Sequence, residues 1–170
     1  ENHGVVFAQQ TQRAGNFLVG REEDPDFQWT DLKGKTVIGG RPGGMPQMVF
    51  EYILKENGLK PFEDVDIITN LQFTATAGAF VSGMGDYSVE FEPTASTIEY
   101  QNNGHVIASL GTASGKVPYT VFIASKEYIE NNKETLQKFT NAFHKAQIWV
   151  NEHTPEEIAE AIHPQFKETE

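Results

Sequence analysis

The chain has 170 residues, of which 38% are hydrophobic and 22% charged, a mixture that suits one generous domain or two small lobes with a buried core. Its 13 Lys and Arg stand against 24 Asp and Glu, and the resulting formal net charge of −11 repels nucleic-acid phosphate and anionic membrane surfaces, so neither is expected as a partner. Cysteine is absent, which excludes a thiol nucleophile, a disulfide frame, a thiolate zinc site and an iron–sulfur cluster.

The chain opens Glu1-Asn2-His3-Gly4, unlike a basic, apolar signal peptide. No apolar run approaches the roughly 18 residues of a bilayer span. Short β-rich runs follow at Val5 to Ala8, Phe17 to Val19, Thr36 to Ile38, Val65 to Ile68, Tyr87 to Phe91, Val106 to Leu110 and Thr120 to Ala124. Helical spacing appears between them, as in Met48, Val49, Tyr52 and Ile53 after the turn at Gly43-Gly44, with Asn57-Gly58 closing that helix. Strands alternating with helices from Asp31 to Leu110 predict an α/β lobe on a mostly parallel sheet. The opening run, Glu1 to Arg21, reads as strand material with no visible sheet partner. Leu136, Phe139, Phe143, Ala146 and Val150 predict a helix over Lys133 to Asn151 that buries one stripe. Thr154-Pro155-Glu156-Glu157 supplies an N-cap, a first-turn proline and a glutamate three residues on, the start of a last helix. The acidic runs Glu22-Glu23-Asp24 and Glu168 to Glu170 are expected to be solvated surface.

Three segments carry candidate chemistry. Asp31 to Ile38 leads through a strand into Gly39-Gly40-Arg41-Pro42-Gly43-Gly44-Met45-Pro46, a glycine-rich loop ending at a helix start. Glycines let a ligand approach the backbone, and amides at a helix N-terminus favour an anionic or strongly polar group. Arg41, one of three arginines, brings a fork that grips carboxylate, sulfonate or phosphate. The loop lacks the Gly-Lys-Ser/Thr ending of a P-loop and the dinucleotide spacing, so nucleotide chemistry is not expected. The plainer reading is that these glycines only turn the chain. The second segment, Gly85 to Pro93, delivers Phe91 and two acids, Glu90 and Glu92, which share a face if strand alternation holds. Paired acids suit general acid–base work, but no nucleophile or metal set stands beside them; Phe91 as a pocket wall and Glu92 as an orienting group is the simpler reading. The third, Pro118-Tyr119-Thr120, enters an apolar strand, where Tyr119 could stack on a ligand or merely be half-buried; Thr11-Gln12-Arg13 is equally ambiguous. His3, His105, His144, His153 and His163 show no metal-ligand spacing, so neither a metal nor a cofactor is expected. Phe27 and Trp29 read as an anchor of the lobe core.

In this order, Thr11-Gln12-Arg13, Asn16 to Gly20, Asp31 to Lys35, Gly39 to Pro46, Phe91-Glu92-Pro93 and Pro118-Tyr119-Thr120 resemble the solute-binding proteins of ABC importers of the nitrate, sulfonate, taurine and thiamine-precursor type, the NMT1/THI5-like or SsuA-like family. The resemblance implies a periplasmic-binding-protein type II fold: two α/β lobes, crossing strands, a ligand cleft, and a closed form presented to a membrane permease outside the cytoplasm, in the periplasm or lipid-anchored. It implies a crossing strand and remnant of the first lobe over 1–19, a complete lobe over 20–118, and a return crossing with C-terminal helices of the first lobe over 119–170. Phe17 to Gly20 and Tyr119 to Ala124 would be the crossings. At about half the usual family length, the chain would lack the amino-terminal half of one lobe and bind weakly by itself. Gly43, Gly44, Met45, Phe91 and Glu92 carry over as cleft residues, with Gly40 and Arg41 in the same loop, and Thr11, Gln12, Arg13 and Tyr119 beside them. Many sulfonate binders place small hydroxyl residues where Gly43-Gly44-Met45-Pro46 stands here, which leaves backbone donors and Arg41 for an anion and keeps a neutral, pyrimidine-like heteroaromatic open. The expected role is capture without catalysis by a monomer; the rivals are an effector-sensing domain of a transcription regulator and an enzyme acting through Glu90 or Glu92.

Overall fold

A computed structural model describes residues 3–166, so the run Glu168 to Glu170 lies outside the described residues. In chain order the strands are β1 (Gly4–Thr11), β2 (Asn16–Gly20), β3 (Thr36–Ile38), β4 (Asp66–Ile68), β5 (Tyr87–Phe91), β6 (His105–Ser109) and β7 (Thr120–Ser125). The α-helices are α1 (Met45–Glu56), α2 (Thr76–Val81), α3 (Thr94–Tyr100), α4 (Leu110–Ala113), α5 (Lys126–Asn131), α6 (Lys133–Glu152) and α7 (Pro155–Ile162). Thr11–Thr120 form one compact unit, and the chain on either side of it forms a second.

The Thr11–Thr120 unit is built on a five-stranded sheet in the order β4-β3-β5-β2-β6. β3 runs parallel to β4 and β5, whereas β2 is antiparallel to both β5 and β6, so four strands share one direction and β2 opposes them. Period-two alternation sends neighbouring residues to opposite faces. Leu18, Val37 and Val89 meet Val49, Phe50, Ile53 and Leu54 of α1 on one face, with Phe27 and Trp29 packed against that core as anchors. Val19 and Ile38 meet Phe80 of α2 and Ala95 and Ile98 of α3 on the other. Within Phe17 to Gly20, the segment the resemblance implies as a crossing, Leu18 and Val19 are both fully buried because β2 is an inner strand of this sheet. Of the residues whose spacing marks this helix, Met48 and Tyr52 are 48% and 45% exposed; α1 is rotated so that Gln47, Phe50 and Leu54 turn inward with Val49 and Ile53.

In the second unit β1 pairs with β7, which corrects the expectation of a partnerless opening strand: the partner lies more than a hundred residues further along the chain. Phe122 of β7 is ringed by Phe7, Phe139 and Phe143 at centroid separations of 6.2, 4.9 and 5.1 Å. α7 begins with the capping box read from the sequence, the Glu157 amide donating to the Thr154 hydroxyl and the Thr154 amide to the Glu157 carboxylate. The stripe expected to be buried on α6 is only partly so: Leu136 and Phe143 are half-buried, no described residue of that helix is fully buried, and Phe139 and Val150 are 42% and 48% exposed. A two-stranded sheet offers too little surface to cover a 20-residue helix face. Among the described residues no helix is long and apolar enough to cross a membrane.

Candidate functional site

The glycine loop leaves β3 where the Gly39 amide donates to the carbonyl of Ile68, tying the strand end to β4. Gly40 and Gly43 take positive φ values of 88° and 72°, the left-handed region where a side chain is strained, and so bend the chain between β3 and α1. The Gly44 amide donates to the Arg41 carbonyl, and Gly44 then serves as N-cap of α1 without a side-chain cap. A second tie runs through side chains. The Gly43 amide donates to Gln47 Oε1 at 2.7 Å, and Gln47 Nε2 donates to Glu51 at 2.6 Å, one helical turn on. Gln47 is 8% exposed, so this chain of bonds braces the loop from inside.

A cavity of about 750 Å³ opens at the carboxyl ends of β3, β4 and β5, where ligands sit in open α/β sheets. The glycine loop contributes Gly40, Arg41, Pro42, Gly44, Met45 and Pro46. The segment after β4 contributes Thr69, Asn70, Leu71, Gln72 and Phe73, and Thr76, Val89 and Phe91 complete the lining. The rings of Phe73 and Phe91 meet edge to face at 5.4 Å, forming one aromatic wall. Arg41 is exposed, its guanidinium makes no hydrogen bond or ion pair with any described residue, and it is the one formally charged side chain in the lining.

Of the residues picked out from the sequence, Gly40, Arg41, Gly44, Met45 and Phe91 line this cavity together, and Gly43 turns the loop beside it. Glu92 does not line it. β5 ends at Phe91, and the Glu92 carboxylate instead accepts from the backbone amide and hydroxyl of Ser96 at 3.1 and 2.8 Å, capping α3. Glu90 therefore does not share a strand face with Glu92. It is 2% exposed and accepts from Ser88 at 2.5 Å, beside Thr76 at 3.1 Å, and burial pushes its carboxyl above the ordinary range while the two hydroxyls pull it back. Tyr119 packs its ring on Phe91 at 6.4 Å and donates its hydroxyl to Asn16; burial raises the phenol to about 12. The Gln12 carbonyl accepts from the Val117 amide and the Thr11 hydroxyl from the Thr120 amide, tying the unit's entry to its exit, while Arg13 donates to the Gly111 carbonyl of α4 at 2.9 Å.

Sequence reasoning missed the run Thr69 to Phe73 and Thr76. The signal was present: these residues follow the β4 run directly, at the strand end where an α/β site is built.

Residues 8–163 match the model of the NMT1-like family. YtlA of Bacillus subtilis (strain 168), named as a binding protein, is 49% identical over 166 residues, which cover 98% of this chain and 50% of that one. The chain thus spans about half the length of the curated relative it matches. Among solved structures, the periplasmic aliphatic sulphonate binding protein SsuA from Escherichia coli superposes with a TM-score of 0.71 at 22% identity, over 97% of this chain and 51% of that one. The alkanesulfonate-binding SsuA from Xanthomonas axonopodis pv. citri, solved bound to MOPS, gives 0.69 at 19% identity, over 84% and 48%. These likenesses establish the fold, a mixed α/β architecture of the periplasmic-binding-protein kind. With the family model spanning both units and the cavity lying at the carboxyl ends of its strands, the chain belongs to the NMT1-like family.

Proposed function

We propose that this chain is part of the extracytoplasmic solute-binding component of an ABC importer, a non-enzymatic protein that delivers its solute to a membrane permease. The family match and the binding-protein relative support that role. The cavity in the Thr11–Thr120 unit would take a small organic anion with an apolar body. One observation carries this choice over a neutral heteroaromatic: in a chain of net charge −11, the single charged side chain lining the cavity is the unpaired cation Arg41. Asn70 and Gln72 add neutral donors, and Phe73, Phe91 and Met45 offer an apolar surface for the rest of the solute.

A thermal-shift series with alkyl and aryl sulfonates, nitrate, bicarbonate and hydroxymethylpyrimidines tests the reading. A solute at 100 times its dissociation constant stabilises the fold by about 2.7 kcal/mol. An apolar sulfonate is expected to raise the melting temperature, and Arg41→Ala to abolish that rise without lowering the melting temperature of the unliganded protein. A shift produced by a neutral pyrimidine and retained in Arg41→Ala would assign the cavity to heteroaromatics instead; no shift with any of them would overturn the binding role of this cavity.

A further inference from the structure

Glu90 is buried on the face of β5 that packs against α2 and α3, and among the described residues no cation accompanies it. β2, β3, the turn Phe73–Ala75 and α2 carry no titratable side chain. α3 carries Glu99 and Tyr100, both exposed, with Glu99 accepting from the Val106 amide; β5 itself carries Tyr87, at its far end. An ionised carboxyl here would rely on hydroxyl donors alone.

The donors do not suffice for that. Ser88 supplies one proton to Oε1 at 2.5 Å. The Thr76 hydroxyl lies 3.1 Å from Oε2 and 3.0 Å from the carbonyl of Phe73, and its single proton can serve only one of them. If Glu90 is neutral, the count closes: Oε2–H donates to Thr76 Oγ1, which donates to the Phe73 carbonyl, while Oε1 accepts from Ser88. If Glu90 is ionised, the Thr76 hydroxyl turns to the carboxylate and the Phe73 carbonyl loses that donor.

We infer that Glu90 is a positioning residue held as a neutral carboxylic acid, and that through the Thr76 hydroxyl it fixes Phe73 against Phe91 in the cavity wall. Thr76, Phe73 and Phe91 all line the cavity, so a proton on a residue outside the lining sets the geometry of the apolar surface within it. Desolvation raises the Glu90 carboxyl, in agreement with this arrangement. A raised acid stabilises the fold fully below its ordinary value, and that stability is lost as pH rises through its value in the folded state. The inference rests on the cavity reading only for its consequence, since its test needs no solute.

The experiment compares the protein with Glu90→Gln, whose amide reproduces one donor and one acceptor without a charge. At pH 7 the infrared difference spectrum between the two is expected to contain the carbonyl band of a protonated carboxylic acid. Raising the pH is expected to lower the melting temperature of the wild type relative to Glu90→Gln and to shift the Phe73 and Phe91 ring resonances in the wild type alone. Thr76→Val is expected to shift the Phe73 resonances at pH 7 and to remove their pH response; Thr76→Ser, which keeps the hydroxyl, is expected to preserve both. Should Glu90→Gln fail to fold, isotope-edited infrared spectra of glutamate-labelled wild type and the threonine pair give the same decision. An ionised Glu90 at pH 7, parallel pH–stability curves for wild type and Glu90→Gln, or Phe73 resonances that titrate equally in Thr76→Val would overturn the inference.

Discussion

The hydroxyl of Tyr119 donates to the Oδ1 of Asn16, joining two residues 103 positions apart at the exit and entry of the same unit. Asn16 is fully buried, and its Nδ2 has no partner among the described residues. The ring of Tyr119 also packs on Phe91, so this bond sits directly behind the aromatic wall of the cavity. Tyr119→Phe leaves a second polar atom of Asn16 unpaired, and a buried group so stranded costs roughly 1–3 kcal/mol. Chemical denaturation of the variant is expected to show a loss in that range.

The same phenol yields a pH prediction. Its value in the folded protein, raised to about 12 mainly by burial, lies above the ordinary 10. Its contribution to stability is therefore complete below pH 10 and disappears as pH rises through 12. Spectrophotometric titration is expected to show a late-ionising tyrosine in the wild type that is missing from Tyr119→Phe, while Tyr87, whose phenol burial also raises, is retained in both. A titration curve that lacks such a tyrosine in the wild type contradicts the burial argument.

Close approach at one glycine sets up a sharp contrast between two substitutions. A Cβ on Gly111 would lie 2.2 Å from the carbonyl oxygen of Ala14, a backbone atom that cannot swing away. Gly111→Ala must shift α4 from the residues before β2, and overpacking of this kind costs roughly 1–3 kcal/mol or more. Gly15→Ala places its methyl in open space and is expected to leave the denaturation midpoint almost unchanged. Equal midpoints for the two variants would refute the packing described here.

Gln47 braces the glycine loop by accepting from Gly43 and donating to Glu51. Gln47→Ala removes both bonds, at a net cost of about 1 kcal/mol for each hydrogen bond lost. Hydrogen–deuterium exchange at the Gly43 amide is expected to accelerate in Gln47→Ala and, to a lesser degree, in Glu51→Ala. Unchanged protection in Gln47→Ala would show that the backbone turn alone holds the loop.

In the other unit, the Thr154 hydroxyl and the Glu157 carboxylate satisfy two backbone amides at the start of α7. Thr154→Ala is expected to cost about 1 kcal/mol, with Thr154→Ser restoring most of it. Amide exchange over Glu156 to Ile158 reads the fraying directly.

Local chemistry was sufficient for much of this molecule. The β-branched and aromatic runs that became β3 and β5 announce their own bounds, Thr154 to Glu157 announces a helix start, and the glycines around Arg41 announce a loop, because each depends on neighbours within a few residues. Five residues of that reading, Gly40, Arg41, Gly44, Met45 and Phe91, line one cavity. Distant partners decided the rest. Which face of α1 turns inward depends on its rotation against the sheet, so Phe50 and Leu54 are buried while Met48 and Tyr52, which mark the helical spacing, stay exposed. The sequence pairs Glu90 with Glu92, whereas in the fold Ser96 engages the Glu92 carboxylate and Glu90 is buried beside the Thr76 hydroxyl. Composition and short-range pattern thus determine where strands, caps and loops form, because those energies are local. Partner choice, burial and protonation arise only when residues tens of positions apart are brought together, and the tertiary structure alone makes those assignments.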